Sequence, residues 1–364
     1  MAQNTANARI DLAAVRHNLA MVRAICPRSR IMAMIKADAY GHGLLPVARA
    51  LNAADGFAVA RLQEALALRE AGIEQRILLL ATLLDHADLA ACSQQSIDVT
   101  AHDKASVDSI DAVACKMPLR VWLKLDSGMH RVGLDPAAFI EADRTLSSRP
   151  GVLELTHMTH FSSADDMTTS VMDQQLACFS ACHSANPKAK VSLANSAALI
   201  TRPDTHADWV RPGIMLYGSN PVRASHDVRL RAAMTLHARV IAIRDIGAGE
   251  SVGYNSHWTS ARPSRIATIG IGYGDGYPRQ VGNGTPVLLD GRMVPLVGRV
   301  SMDSLTVDVT DCESVAVGDE ATLWGTELPV ATIAEHARTI SYELLTSLRP
   351  RVTREYTDQC QEPA

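Results

Sequence analysis

The feature that most constrains this chain is an alternation between residues 31 and 217, where eight short apolar runs are separated by longer helical patterns. The runs are Ile31–Lys36, Phe57–Ala60, Arg76–Ala81, Ile97–Ala101, Leu119–Leu125, Val152–Met158, Val191–Ala194 and Trp209–Met215, with helical stretches such as Arg61–Ala71 and Asp135–Ser147 between them. That rhythm marks parallel βαβ units. Eight of them in roughly 200 residues fit a (β/α)8 barrel of the TIM type. A doubly wound sheet is the competing α/β arrangement, but no G-x-G-x-x-G opens the first helix, and it rarely needs eight units.

After about residue 230 the helical period stops and β-rich segments take over: Thr235–Ile246, Ile266–Ile271, Pro286–Leu289, Met293–Val300, Ser304–Val309 and Glu320–Trp324. Gly247-Ala-Gly249, Asp275-Gly276, Asn283-Gly284 and Asp290-Gly291 supply the turns. The expected fold is therefore an α/β barrel over residues 8–229 followed by a C-terminal all-β domain over 230–364, with residues 1–7 a candidate addition to the second. A length of 364 residues suits two such domains.

Composition narrows the function class. The formal charge of −4 argues against a nucleic-acid surface. No apolar run is long enough to span a membrane, and the start MAQNTANARIDLAAVRHNL lacks a basic region followed by an apolar one, so a soluble cytoplasmic protein is expected. The seven cysteines (26, 92, 115, 178, 182, 312 and 360) are scattered, with no metal-binding spacing, and read as reduced, mostly buried residues. No metal site is expected.

A barrel carries its chemistry at the C-terminal ends of its strands. There the first run ends in Lys36, the fifth in Lys124 with Asp126 and Arg131 beyond, the sixth in His157 and His160, the seventh in Asn195-Ser196, and the eighth leads through Arg211 to Gly213 and Ile214. A lysine leaving a buried strand is desolvated, which favours the neutral amine that Schiff-base chemistry needs; a lysine snorkelling from a strand end looks the same in sequence. Of seven tyrosines, five adjoin a glycine: Tyr40, Tyr217, Tyr254, Tyr273 and Tyr277. Ser196 and the Gly213 and Ile214 amides follow the last two strands, where barrels often hold phosphate. A Schiff-base lysine beside a phosphate site points either to pyridoxal phosphate or to an aldolase with a phosphorylated substrate.

The segments MIKADAYGHG (34–43), LKLDSGMHRVG (123–133), THFSSAD (159–165), ANSAA (194–198), RPGIMLYG (211–218), SVGYN (251–255), GYGDGYPR (272–279) and GRVSMD (298–303) resemble the successive motifs of the bacterial alanine racemases, in family order and across nearly the whole chain. Ser301 stands where many members have Cys, and Thr353 where Pro is frequent. The resemblance implies a cytoplasmic enzyme that interconverts L- and D-alanine with pyridoxal 5'-phosphate, supplying D-alanine for peptidoglycan or serving alanine catabolism. It also implies a homodimer whose sites are shared between subunits, with alanine as the small-molecule partner. By the same resemblance Lys36 carries the cofactor and is the base on one face of the substrate, and Tyr254 is the base on the other. Arg131 and the Met302 amide take the carboxylate, and Tyr40, Ser196, Gly213 and Ile214 hold the phosphate. Arg211 faces the pyridine nitrogen, with His160 supporting it. Lys124, Asn195 and Asp303 are supporting residues, Lys124 as a carbamate orienting Arg131, and Tyr273 narrows the entrance. A fold-related pyridoxal-phosphate amino-acid decarboxylase and a non-catalytic cofactor-binding protein are the alternatives; the second leaves Tyr254 and the β domain without a use.

Overall fold

The computed structural model describes residues 5–113, 117–222 and 228–358. Strand β1 (Ala6–Asp11) comes first. Eight parallel strands then close a barrel: β2 (Arg30–Met34), β3 (Gly56–Val59), β4 (Arg76–Leu79), β5 (Ile97–Ala101), β6 (Leu119–Lys124), β7 (Val152–Met158), β8 (Lys190–Asn195) and β9 (Trp209–Arg211). The expected runs and these strands coincide to within one residue at most starts, because a strand buried on both faces reads as a continuous apolar run. Helices follow for local reasons. Asp11 and Asp135 accept backbone amides at the starts of the helices Leu12–Ile25 and Pro136–Ser147, and proline opens the second.

The floor of the barrel, at the N-terminal strand ends, holds paired charges. Arg76 donates to Asp98 at 2.5 and 3.0 Å and to Glu154 at 2.8 Å, Trp122 donates to the same Asp98 oxygen at 3.0 Å, and Lys190 bonds Glu154. Buried ions tolerate the interior when satisfied in this way.

The second region is β-rich, as expected. Strand β10 (Met234–Ile246) is its spine, pairing with β1, with Ser264–Ile269 and with Glu320–Trp324. Three elements were not foreseen. The helices Val330–His336 and Ser341–Ser347 interrupt the β pattern, and a last strand, Thr353–Thr357, pairs in parallel with β1. Thr5 and β1 lie against this sheet, Thr5 accepting the Arg239 amide at 2.8 Å; the rest of the expectation for residues 1–7 falls partly on residues 1–4, outside the described residues. Cys26, Cys92, Cys182 and Cys312 are buried and Cys178 is half-buried, whereas Cys115 and Cys360 lie outside the described residues. Among the described residues no helix is long and apolar enough to cross a membrane, and no cluster of His, Cys, Asp or Glu could hold a metal ion.

Candidate active site

Strand β2 delivers Lys36 to the rim of the barrel, and the chain then turns in an unusual way. Ala37, Asp38, Ala39 and Tyr40 have φ of 54°, 54°, 52° and 53°, one left-handed turn made without a glycine. Each such residue costs about 1–2 kcal/mol, so the surroundings must enforce the turn. Gly41 ends it at φ 80°, where a Cβ would collide with the Leu345 carbonyl of the helix Ser341–Ser347. Tyr40 stacks on Tyr217 with centroids 4.7 Å apart, and the Tyr217 hydroxyl donates to the Met34 carbonyl at 2.9 Å. The buried His42 ring lies 2.9 Å from the Tyr40 carbonyl through Nδ1.

Lys36 lines a cavity of about 740 Å³ together with Tyr40, Lys124, Arg131, His160, Asn195, Ser196, Arg211, Gly213 and Ile214. Ten of the expected site residues thus converge. The cavity is cationic, and in contrast to the floor none of its four cations, Lys36, Lys124, Arg131 and Arg211, pairs with a carboxylate among the described residues. Asp126 does not pair with Lys124. Its Oδ1 instead accepts the Gly128, Met129 and His130 amides, each at 3.0 Å, fixing the loop that leads to Arg131.

Burial, and after it crowding of like charge, lowers the titration of Lys36, Lys124 and His160. Burial and then the Arg131 charge lower the Lys36 amine, opposed by Glu64. Burial, Arg211 and Arg131 bring Lys124 down to about 8. His160 falls to about 3 through burial first and then the four cations, so it stands neutral. Arg211, fully buried, is pushed down to about 10 and stays charged at neutral pH. Its guanidinium donates to Ser192 Oγ at 2.6 Å and to the Thr159 and Leu193 carbonyls at 2.6 and 3.2 Å. These three groups, rather than His160, hold it; among the described residues the His160 ring makes no hydrogen bond to Arg211. Ser192 was missed because one serine inside a strand looks like ordinary alternation.

Neutral donors gather beyond Arg211. Asn195 caps the helix Ser196–Thr201 by accepting the Ala198 amide at 3.0 Å, and Ser196 Oγ accepts the Gly213 amide at 2.8 Å. Gly213 is required, because a Cβ there would lie 2.6 Å from Tyr40 Oη. Tyr342, unforeseen, brings its ring to 5.9 Å from Tyr40, and burial raises it to about 12. Both phenols remain donors at neutral pH. Tyr342 arrives with Ile340, Glu343 and Thr346 on the helix Ser341–Ser347 and the residue before it, a segment without a motif. Tyr356, whose ring packs on Gly43, does not line the cavity. Four unpaired cations at one end and hydroxyl and amide donors at the other suit a ligand with several anionic oxygens, which is the chemistry of pyridoxal phosphate beside a carboxylate.

Four expected residues lie elsewhere. Tyr254 opens the turn Tyr254–Ser256 between the two-residue strands Ser251–Val252 and Trp258–Thr259, and is 64% exposed. Met302 and Tyr273 are exposed neighbours of each other: the Tyr273 amide donates to the Ser301 carbonyl at 3.0 Å and the Gly274 amide to that of Met302 at 2.8 Å. Asp303 accepts Arg351 at 2.6 Å, and Arg351 also bonds Asp275. None of the four lines the Lys36 cavity of its own chain.

Residues 10–221 match the alanine racemase N-terminal domain family and residues 233–356 match the alanine racemase C-terminal domain family. This chain belongs to the alanine racemase family. It is 45% identical over 355 residues to the alanine racemase of Vibrio parahaemolyticus, covering 97% of this chain and 99% of that one, and 46% identical over 354 residues to that of Chromohalobacter salexigens, covering 96% and 97%. The biosynthetic alanine racemase of Pseudomonas aeruginosa superposes with a TM-score of 0.94 at 44% identity, over 98% of this chain and all of that one. The Bartonella henselae alanine racemase, solved with covalently bound pyridoxal phosphate, superposes with a TM-score of 0.90 at 33% identity over the same shares. The decarboxylase and non-catalytic readings are not favoured by these alanine racemase likenesses.

Proposed function

We propose that this chain racemises alanine on pyridoxal phosphate bound covalently to Lys36, as half of a homodimer in which each site takes Lys36 from one subunit and Tyr254 from the other. The observation that carries the reading is the division of the site: a buried lysine in a cavity of unpaired cations, and a second candidate base exposed on a different surface. The cofactor, when bound, withdraws electrons from the substrate's α-carbon so that its proton becomes removable. Lys36 Nζ, kept toward the neutral form by burial and Arg131, exchanges that proton on one face, and the Tyr254 hydroxyl exchanges it on the other. Arg131 and the Met302 amide orient the carboxylate. With the cofactor bound, Tyr40, Ser196, Gly213, Ile214 and Tyr342 would donate to its phosphate, and Arg211, held by Ser192, Thr159 and Leu193, would supply a permanent donor toward its ring nitrogen. Tyr273 narrows the approach, and Asp303, tied to Arg351, braces the Met302 loop.

Lys124 fits the scheme as a carbamate. With its amine lowered to about 8, the neutral fraction adds to carbon dioxide, forming an N–C bond and releasing one proton, and the resulting anion pairs with Arg131. A carbon-13 carbamate signal from bicarbonate-labelled protein that is lost in Lys124→Ala is the expected result. We assign the barrel to residues 8–229, save that β1 belongs to the sheet of the second region, and the β-rich domain to 230–364, the work of the protein to the cytoplasm, and its product to peptidoglycan supply or alanine catabolism. Two measurements test the reading together. A chiral assay should find D-alanine formed from L-alanine without carbon dioxide release, and borohydride reduction followed by peptide mapping should place the pyridoxyl adduct on Lys36. An adduct on Lys124, or decarboxylation, overturns it.

A further inference from the structure

Glu64 lies outside the groups used so far, on the helix Leu62–Glu70 that follows β3. An acidic residue at this position ordinarily caps its own helix, and its Oε2 does accept the Ala60 and Arg61 amides at 3.0 and 3.1 Å. Its other oxygen crosses to the neighbouring strand end. Oε1 accepts the Ala37 amide at 2.7 Å and, at the limit, the Asp38 amide at 3.4 Å. Those are the first two amides of the left-handed turn, which like the start of any helix have no partner inside the turn. The far end of the turn is fixed separately, by the Leu44 amide donating to Asp38 Oδ1 at 2.7 Å and by Gly41 against Leu345. Among the described residues Glu64 is therefore the side chain that ties the amide after Lys36 to the segment following β3.

We propose that Glu64 is a positioning residue for Lys36: one carboxylate, shared between the start of its own helix and the strained turn after β2, sets where the lysine enters the cavity. The proposal rests on the racemase reading for its kinetic consequence but not for its structural one. Only an ionised carboxylate can accept at both ends. In Glu64→Gln the amide oxygen serves one pair of N–H groups while its own N–H2 confronts the other. The turn then relaxes toward right-handed geometry, and the lysine moves with it.

The test compares wild type, Glu64→Gln, Ala37→Gly and the double variant. Glycine occupies positive φ without the strain alanine carries, so Ala37→Gly should stand in for the lost clamp. In cofactor-free protein, hydrogen exchange at the Ala37 and Asp38 amides should quicken ~10- to 100-fold in Glu64→Gln, and the double variant should recover part of the loss. In loaded enzyme kcat should fall ~10- to 100-fold with KM for alanine nearly constant, borohydride trapping at Lys36 should slow in parallel, and the double variant should regain most of both. A helix cap alone would lower the melting temperature and leave kcat and trapping where they were; that result, unchanged exchange, or failure of the glycine rescue overturns the proposal. Wild type that forms no Lys36 adduct overturns the racemase reading instead, and leaves the exchange experiment standing.

Discussion

The two candidate bases occupy opposite kinds of structure. Lys36 lies just beyond the end of a barrel strand, followed by a turn held by Glu64 and by Gly41 against Leu345, and burial and then neighbouring charge shift its titration. Tyr254 projects from a loop between the two-residue strands Ser251–Val252 and Trp258–Thr259, held at its base by their ladder and by Asn283 donating to the His257 carbonyl at 3.0 Å, and stands largely in solvent. Gly253, Asn255 and Ser256 all have positive φ there, of 77°, 60° and 50°. Lys36 is surrounded within its own chain, and Tyr254 is presented outward. A base in open water is poorly placed to control a proton, so under the proposed division Tyr254 would acquire its environment against the other subunit.

The largest expected effect breaks this comparison directly. Lys36→Ala and Tyr254→Phe should each abolish racemisation, by ~10³-fold or more. Mixed and allowed to exchange subunits, they should recover roughly a quarter of wild-type activity, since half of the dimers are hybrids with one intact site of two. Proven exchange without recovery would put both bases of a site in one chain.

On the Lys36 side, Gly213→Ala places a methyl 2.6 Å from Tyr40 Oη, and the forced shift should weaken cofactor binding ~10- to 100-fold, read as a raised dissociation constant on reconstitution. Protonation gives a smaller effect of defined sign. His160 and His42 are lowered to about 3 and about 4, burial dominating in both. Between those values and the unfolded pKa near 6.5 the unfolded chain binds protons that the native chain does not, so stability rises with pH over that window and is lost as pH falls through it. Each contributes about 1.4 kcal/mol per pH unit at the steepest, and His160→Gln should flatten the pH dependence of the urea midpoint. Smallest is a pair of glycine substitutions. Ala37→Gly should stabilise by up to about 1 kcal/mol, while Asn255→Gly should change stability by less than about 0.5 kcal/mol, because asparagine already visits positive φ readily. Equal effects in thermal midpoints would remove the distinction between an enforced turn and a tolerated one.

The barrel was legible because strands buried on both faces leave unbroken apolar runs, and the rim because lysine, arginine and histidine are conspicuous where such runs end. Other parts left no trace of that kind. Residues 1–7 were expected to join the second domain, yet nothing in ANARID marks a strand, and only its register with Met234–Ala238 shows that β1 runs on to Asp11. Nothing in KADAY announces a left-handed turn, since alanine favours the opposite hand and the groups that hold it, Glu64 and the Leu345 carbonyl packed on Gly41, lie 24 or more residues away in sequence. Tyr342 went unnoticed because its helix is only seven residues long in a region read as all β. Arg211's support was expected from His160, whereas Ser192 and the Thr159 and Leu193 carbonyls make its hydrogen bonds.

Strand β1 carries a consequence for how the molecule is made. It lies between β10 and Thr353–Thr357, with Ala8 opposite Leu236 on one side and Arg354 on the other. During synthesis β1 emerges before the barrel, while its partners follow the whole barrel, at ~5–20 residues per second. The barrel can close on the ribosome with its lead-in strand still unpaired, and that strand then waits on the order of ten seconds or more for the second of its two neighbours. Its half-apolar edges make this the interval in which the nascent chain is most open to pairing with another copy of itself.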